Sequence, residues 1–205
     1  FPLSQHIGAP AKPLVAKGDT VLAGQKIAEA GGFISANVIC SVSGTVKGIE
    51  PRLMANGSMV QSIIVENDGE YRTVEGFGQK RDYTAFSKQE IRDIVKEAGI
   101  VGLGGAGFPT NVKLAPKNEE EIDYVIVNGA ECEPYLTSDY RVMLEQPEKV
   151  VGGLKVILQL FDKAKGVIGI EENKPEAIRI LSELVKDEPR IQVCTLKTKY
   201  PQGGE

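Results

Sequence analysis

Residues Gly102-Leu103-Gly104-Gly105-Ala106-Gly107-Phe108-Pro109-Thr110 set four glycines within six positions, with a lysine following at Lys113. Glycine lacks a Cβ and reaches positive φ freely, so its main chain can converge on an anion or a flat ring that any side chain would block. Ordering such a run is entropically costly, which argues against an idle loop. Gly102-x-Gly104-x-x-Gly107 also satisfies the dinucleotide fingerprint, but that pattern has meaning only directly after a strand and at the start of a helix. The residues upstream deny that context. Ser87-Lys-Gln-Glu90 reads as a capping box, and Ile91, Ile94, Val95 and Ala98 recur on one helical face until Gly99 stops it. A helix therefore leads into the loop. An ordinary Rossmann turn is disfavoured, and a nucleotide or flavin held by a different glycine loop is not.

The residues on either side of this loop follow different rules. From about Gly8 to Glu70, short Val-, Ile- and Ser-rich runs alternate with turn signals, the pattern of a small all-β unit. Ala16 to Ala28 holds two glycine-centred turns, and Cys40 to Val46 alternates toward a second strand pair. Around 73–86 the chain turns polar, with Gly76-Phe-Gly78 marking a linker. Beyond it, Tyr124 to Val127 reads as a buried strand, Lys149 to Phe161 as a helix, Gly166 to Ile170 as a strand and Ile191 to Leu196 as another. Asn173-Lys-Pro-Glu176 opens a further helix, with the asparagine as its cap. Strands separated by crossover-length helices predict an α/β layer with a largely parallel sheet. The expected organisation is a β domain over 1–72, a linker over 73–86 and an α/β domain over 87–205.

Composition narrows the function. A net charge of −4, a pI near 5.3 and no basic stripe with interleaved aromatics argue against nucleic acid as a partner. No apolar run reaches the roughly 18 residues of a membrane span, so any membrane association is expected through a partner. Cys40, Cys132 and Cys194 form no Cys-x-x-Cys pair, which gives no basis for a metal site in this chain. His6, the only histidine, leaves no imidazole triad and reads as structural.

The strand ending at Val127 runs into Asn128-Gly129-Ala130-Glu131-Cys132-Glu133-Pro134, so polar groups sit at the carboxyl end of a strand, where α/β sheets place ligands. Two glutamates and an asparagine offer both donors and acceptors to a ring edge. The same residues also read as a polar turn that caps the following helix, and both readings stand.

The N-terminal segments resemble the barrel-sandwich hybrid of biotinyl and lipoyl domains. The region of the carrier hairpin, Gly31 to Asn37, has no lysine, so a docking or spacer role is expected instead of a carrier role. Gly104-Gly-Ala-Gly-Phe-Pro-Thr110 with Lys113, then Asn128-x-x-Glu-x-Glu-Pro134, resembles the FMN and NADH site of the complex I flavoprotein subunit. The whole pattern is closer still to the RnfC family of the Rnf electron transport complex. That resemblance implies an α/β FMN/NADH-binding domain in an electron-entry module, an NADH dehydrogenase-type oxidoreductase, on the cytoplasmic side of the cell membrane with the other Rnf subunits as partners. It implies FMN beside Gly102, Gly104, Gly105, Lys113, Asn128 and Glu131, and NADH at Phe108 and Glu133. Tyr200-Pro-Gln-Gly-Gly-Glu205 echoes a later family motif and adds Glu205 for NADH. No side chain is expected to act as acid or base. Leu103 and Ala130 depart from complex I, which has arginine and aspartate there. The family continues into cysteine motifs for 4Fe-4S clusters, so these are expected only in the longer subunit. The alternative is a non-redox nucleotide- or anion-binding module that docks on a membrane assembly.

Overall fold

The glycine-punctuated N-terminal region builds six strands in the computed structural model of the chain, which describes residues 1–203. These are β1 (Lys12–Pro13), β2 (Thr20–Val21), β3 (Lys26–Glu29), β4 (Val38–Ile39), β5 (Gly44–Leu53) and β6 (Met59–Asn67). They form two antiparallel sheets, ordered β1-β3-β4 and β2-β5-β6. Ile27, Ala28 and Val38 from one sheet and Val21, Val46 and Ile63 from the other share a single apolar core. Each large aliphatic side chain buried in this way contributes about 1.5–3 kcal/mol.

Residues 73–86, expected as a linker, are largely exposed and touch the β domain at Val74 and Phe77. Val74 N–H donates to Ala23 O (3.0 Å), and Phe77 lies where a Cβ on Gly24 would fall. Helix α1 (Lys88–Glu97) starts on the expected capping box, with Ser87 N–H donating to Glu90 Oε2 at 2.8 Å. The helix ends on the hairpin between β3 and β4. Asn37 Nδ2 donates to the carbonyls of Lys96 (3.2 Å) and Glu97 (3.3 Å), and Lys26 pairs with Glu97 at 2.6 Å. The first compact unit accordingly runs Phe1–Pro116 and the second Lys117–Glu205, so the packing division falls well beyond the change in composition.

In the second unit, β7 (Tyr124–Gly129), β8 (Lys165–Glu171) and β9 (Ile191–Leu196) form a parallel sheet in that order. Helices α3 (Ser138–Glu145) and α4 (Pro147–Leu158) join β7 to β8, and α5 (Pro175–Val185) joins β8 to β9. The α/β layer is as expected, with three corrections. β7 is an edge strand, not a buried one: Ile126 is 71% exposed, whereas Ile168 and Ile170 of the central β8 are fully buried. α4 starts earlier, with Pro147 in its first turn, and stops at Leu158. The guanidinium of Arg190 secures the chain beyond it, donating to the carbonyls of Phe161 (2.6 Å) and Ala164 (2.8 Å). At α5 the cap position is Lys174, and Asn173 makes no capping bond because its Oδ1 accepts from Lys174 Nζ. No helix among the described residues is long and apolar enough to cross a membrane.

A side-chain network closes the β5–β6 hairpin. Ser43 Oγ donates to Asp68 Oδ1 (2.6 Å) and Arg72 Nη2 to Asp68 Oδ2 (2.8 Å). The serine hydroxyl first, then the arginine and the Glu70 N–H, hold the Asp68 carboxyl at about 2. Its unfolded value is about 3.9, so the stabilisation is complete above about pH 4 and is lost as pH falls through about 2. Urea midpoints measured from about pH 5 down to about pH 2 should fall more steeply for the wild type than for Asp68→Asn. Parallel curves would assign the acid sensitivity to other carboxylates.

Candidate functional site

The glycine loop leaves α1 through Gly99 and returns on itself. Val101 and Pro109 form an antiparallel bridge, Gly102 N–H donates to Phe108 O (2.8 Å), and Thr110 N–H donates to Ile100 O (3.0 Å). A short helix, α2 (Thr110–Lys113), follows and carries Lys113. Gly102 leaves room for that lysine, since a Cβ there would lie 3.3 Å from Lys113 Nζ. Lys113 is exposed and has no ion-pair partner among the described residues. At Gly104 and Gly105 an added Cβ would meet nothing, so that side of the loop is open. Gly105, at φ +133°, also needs to be glycine.

Gly107 differs from both. Its φ is +61°, and a Cβ would fall 2.8 Å from Gln5 O and 2.9 Å from His6 Cα. Ile7 N–H donates to Ala106 O at 3.0 Å beside it. The N-terminal segment thus braces the back of the loop, and an open depression of about 430 Å³ lined by Gln5, His6, Asn56 and Gly105 lies alongside. His6 has the structural role expected of it: Ala36 N–H donates to its Nε2 at 3.2 Å. Sequence reading missed the special position of Gly107, which follows from contact with residues far away in the chain.

In the second unit the strand-end loop is held on several sides. Asn128 Oδ1 accepts from Ala130 N–H (3.1 Å), while its Nδ2 donates to Gly203 O (3.0 Å). The Glu131 carboxylate accepts from the N–H groups of Asp139 (2.9 Å) and Tyr140 (3.2 Å) in the first turn of α3. The helix-capping reading is therefore the one the geometry shows for Glu131. Desolvation first, then the Glu131 charge, pushes Asp139 above the ordinary carboxylate range. Lys174 Nζ reaches Glu131 O at 3.1 Å, a contact that no spacing revealed. Glu133 is exposed. Of the expected site residues, Gly102, Gly104, Gly105, Phe108 and Lys113 thus lie together in the first unit. Asn128, Glu131 and Glu133 share one loop of the second, and Glu205 lies outside the described residues.

Gly107→Ala is expected to lower stability by about 1–3 kcal/mol, because it combines positive φ with a backbone clash. Gly104→Ala, facing open space, should leave the thermal unfolding midpoint nearly unchanged. Equal losses in the two variants would contradict the division between a braced and an open side of the loop.

Residues 1–70 match the RnfC barrel sandwich hybrid domain, and residues 95–205 match the Nuo51 FMN-binding domain. The chain is 47% identical to a subunit of the proton-translocating ferredoxin:NAD(+) oxidoreductase complex of Clostridium ljungdahlii, over all of this chain and 45% of that protein. It is also 47% identical to the like-named subunit of the Na(+)-translocating ferredoxin:NAD(+) oxidoreductase complex of Acetobacterium woodii, over all of this chain and 46% of that protein. A solved NAD+-reducing NiFe-hydrogenase in the air-oxidised state aligns with 61% of this chain and 24% of its own, at 21% identity and a TM-score of 0.48, too distant to bear on function. The chain spans about half the length of the curated relatives it matches. With both domain types matched in sequence order, the chain belongs to the RnfC family of oxidoreductase-complex subunits.

Proposed function

We propose that this chain binds FMN and exchanges electrons between it and NADH, within an electron-transport complex whose iron–sulfur clusters lie outside residues 1–205. The observation that carries the reading is Lys113, whose ammonium stands beside a loop made bare at Gly102, Gly104 and Gly105. A phosphate monoester needs a cation and unobstructed main chain, and this loop offers both. The names of the relatives support NAD(H) as a reactant. Bound FMN supplies the exchange between hydride transfer and single-electron steps.

Each residue then has a definite task. Lys113 balances phosphate charge, and the three glycines admit the main chain to close range. Asn128 and Glu131 serve the flavin; because the Glu131 carboxylate is engaged on α3, its part is to hold the loop in shape. Phe108 stacks on the dinucleotide, Glu133 hydrogen-bonds it, and Glu205 adds a second carboxylate. No residue of the chain is assigned proton transfer. The matched regions stop at 70 and resume at 95, which supports a junction of two sequence domains around 73–86. Attachment to the cytoplasmic side of the membrane runs through the other Rnf subunits.

The test is anaerobic. FMN fluorescence should be quenched by the purified chain, and added NADH should bleach the flavin band faster than it bleaches free FMN. Lys113→Ala should raise the FMN dissociation constant about tenfold, as loss of a charged hydrogen bond does. Glu133→Ala should leave FMN affinity intact and slow the bleaching. Quenching without bleaching would favour a non-redox nucleotide-binding module. Equal loss of FMN in the Glu133 variant would remove that residue from the NADH assignment.

A further inference from the structure

We propose that Lys174 is a positioning residue for the Asn128–Glu133 loop and that Glu171 holds it in that role; the consequence for flavin rests on the function proposed above. Glu171 ends the central strand β8 and is fully buried, while Lys174 is 6% exposed. Lys174 Nζ donates to Glu171 Oε2 (3.2 Å), Asn173 Oδ1 (3.1 Å) and Glu131 O (3.1 Å). All three ammonium donors are thereby used. Glu171 Oε1 is buried without a hydrogen-bond partner.

Stability does not account for this arrangement. Desolvating two charges offsets much of their attraction, and apolar replacements of buried pairs are often equally stable. Here the balance is worse, because one carboxylate oxygen has no donor. Nor is the side chain needed for its own turn, which the main chain closes through Lys174 N–H to Glu171 O at 3.0 Å. What the pair does achieve is delivery of a fixed cation to the main chain of the loop leaving β7. Glu131 is then gripped at both ends, its carbonyl by Lys174 and its carboxylate by α3. With Asn128 tied to Gly203, the peptide groups between them have little freedom to rotate. These groups sit at the carboxyl edge of a parallel sheet, where ligands of such sheets are met.

The decisive variant is Glu171→Gln combined with Lys174→Met in the complete chain, which removes the donor to Glu131 without leaving a buried charge. Lys174→Met alone serves as the comparison. In FMN-free protein, hydrogen exchange at the Asp139 and Tyr140 amides should quicken about tenfold, while the Gly166 amide of β8 keeps its rate. The FMN dissociation constant should rise about tenfold and the visible spectrum of bound FMN should shift. Unchanged exchange at Asp139 and Tyr140 would overturn the proposal. So would faster exchange with flavin affinity and spectrum equal to wild type. If the wild-type chain itself leaves FMN unquenched, the function proposed above fails, and the exchange rates alone decide whether Lys174 holds the loop.

Discussion

Main chain meets main chain where Gly107 lies against Gln5 and His6, and the placing of the glycine loop depends on that approach. A Cβ at this position would push the loop off the N-terminal segment, and the bond from Ile7 to Ala106 would go with it. The segment in turn is fixed to the β domain by the Ala36 N–H donated to His6. The β domain therefore acts as a brace for the loop. Its hairpin between β3 and β4, where a carrier domain would hold its lysine, uses Asn37 to receive the end of α1. Two supports thus converge on the loop from one domain: its entry through α1 and its back through Gln5–Ile7.

The second unit solves a comparable problem by side chains. A strand end that presents polar groups must keep them in place without a helix of its own. Asn128 ties the loop to its own next turn and to Gly203, Glu131 ties it to α3, and Lys174 ties its main chain to the base of α5. A carboxylate that satisfies the first-turn amides of a helix is engaged twice over, by hydrogen bonds and by the helix dipole. Glu133, two residues on and exposed, is free of that duty. Two glutamates that look equivalent in sequence thus differ in structure: Glu131 is committed to α3, and Glu133 is the one left exposed.

How far the sequence disclosed this follows the range of each interaction. The capping box at Ser87 and the stop at Gly99 were legible because every partner lies within a few residues. The parallel sheet was legible from strand and helix spacing. The edge position of β7 was not, because Tyr124-Val-Ile-Val127 has the same apolar run whether or not a strand covers its side. Asn173 fails as a cap because the competing partner, Lys174, is drawn inward by a buried carboxylate that periodicity counts as part of a strand. The role of Gly107 depends on residues about a hundred positions away, beyond any local pattern. At the candidate site, the residue types and their spacing were visible, whereas the commitment of the Glu131 carboxylate to α3 required the fold.

Charge at the glycine loop is sparse, and this decides which physical term governs the phosphate binding proposed there. Leu103, at the position where the resemblance to complex I has arginine, is 95% exposed and contributes none. That leaves Lys113, an exposed ammonium whose attraction is damped over about 8 Å at physiological ionic strength. Amide dipoles act over a shorter distance and need no counter-ion, but they count only if the loop is already in shape before a ligand arrives. The brace at Gly107 supplies that shape, at a position where the added methyl of alanine would undo it. In the function proposed above, a weakly charged loop braced from behind depends for its affinity on the β domain as much as on its own lysine.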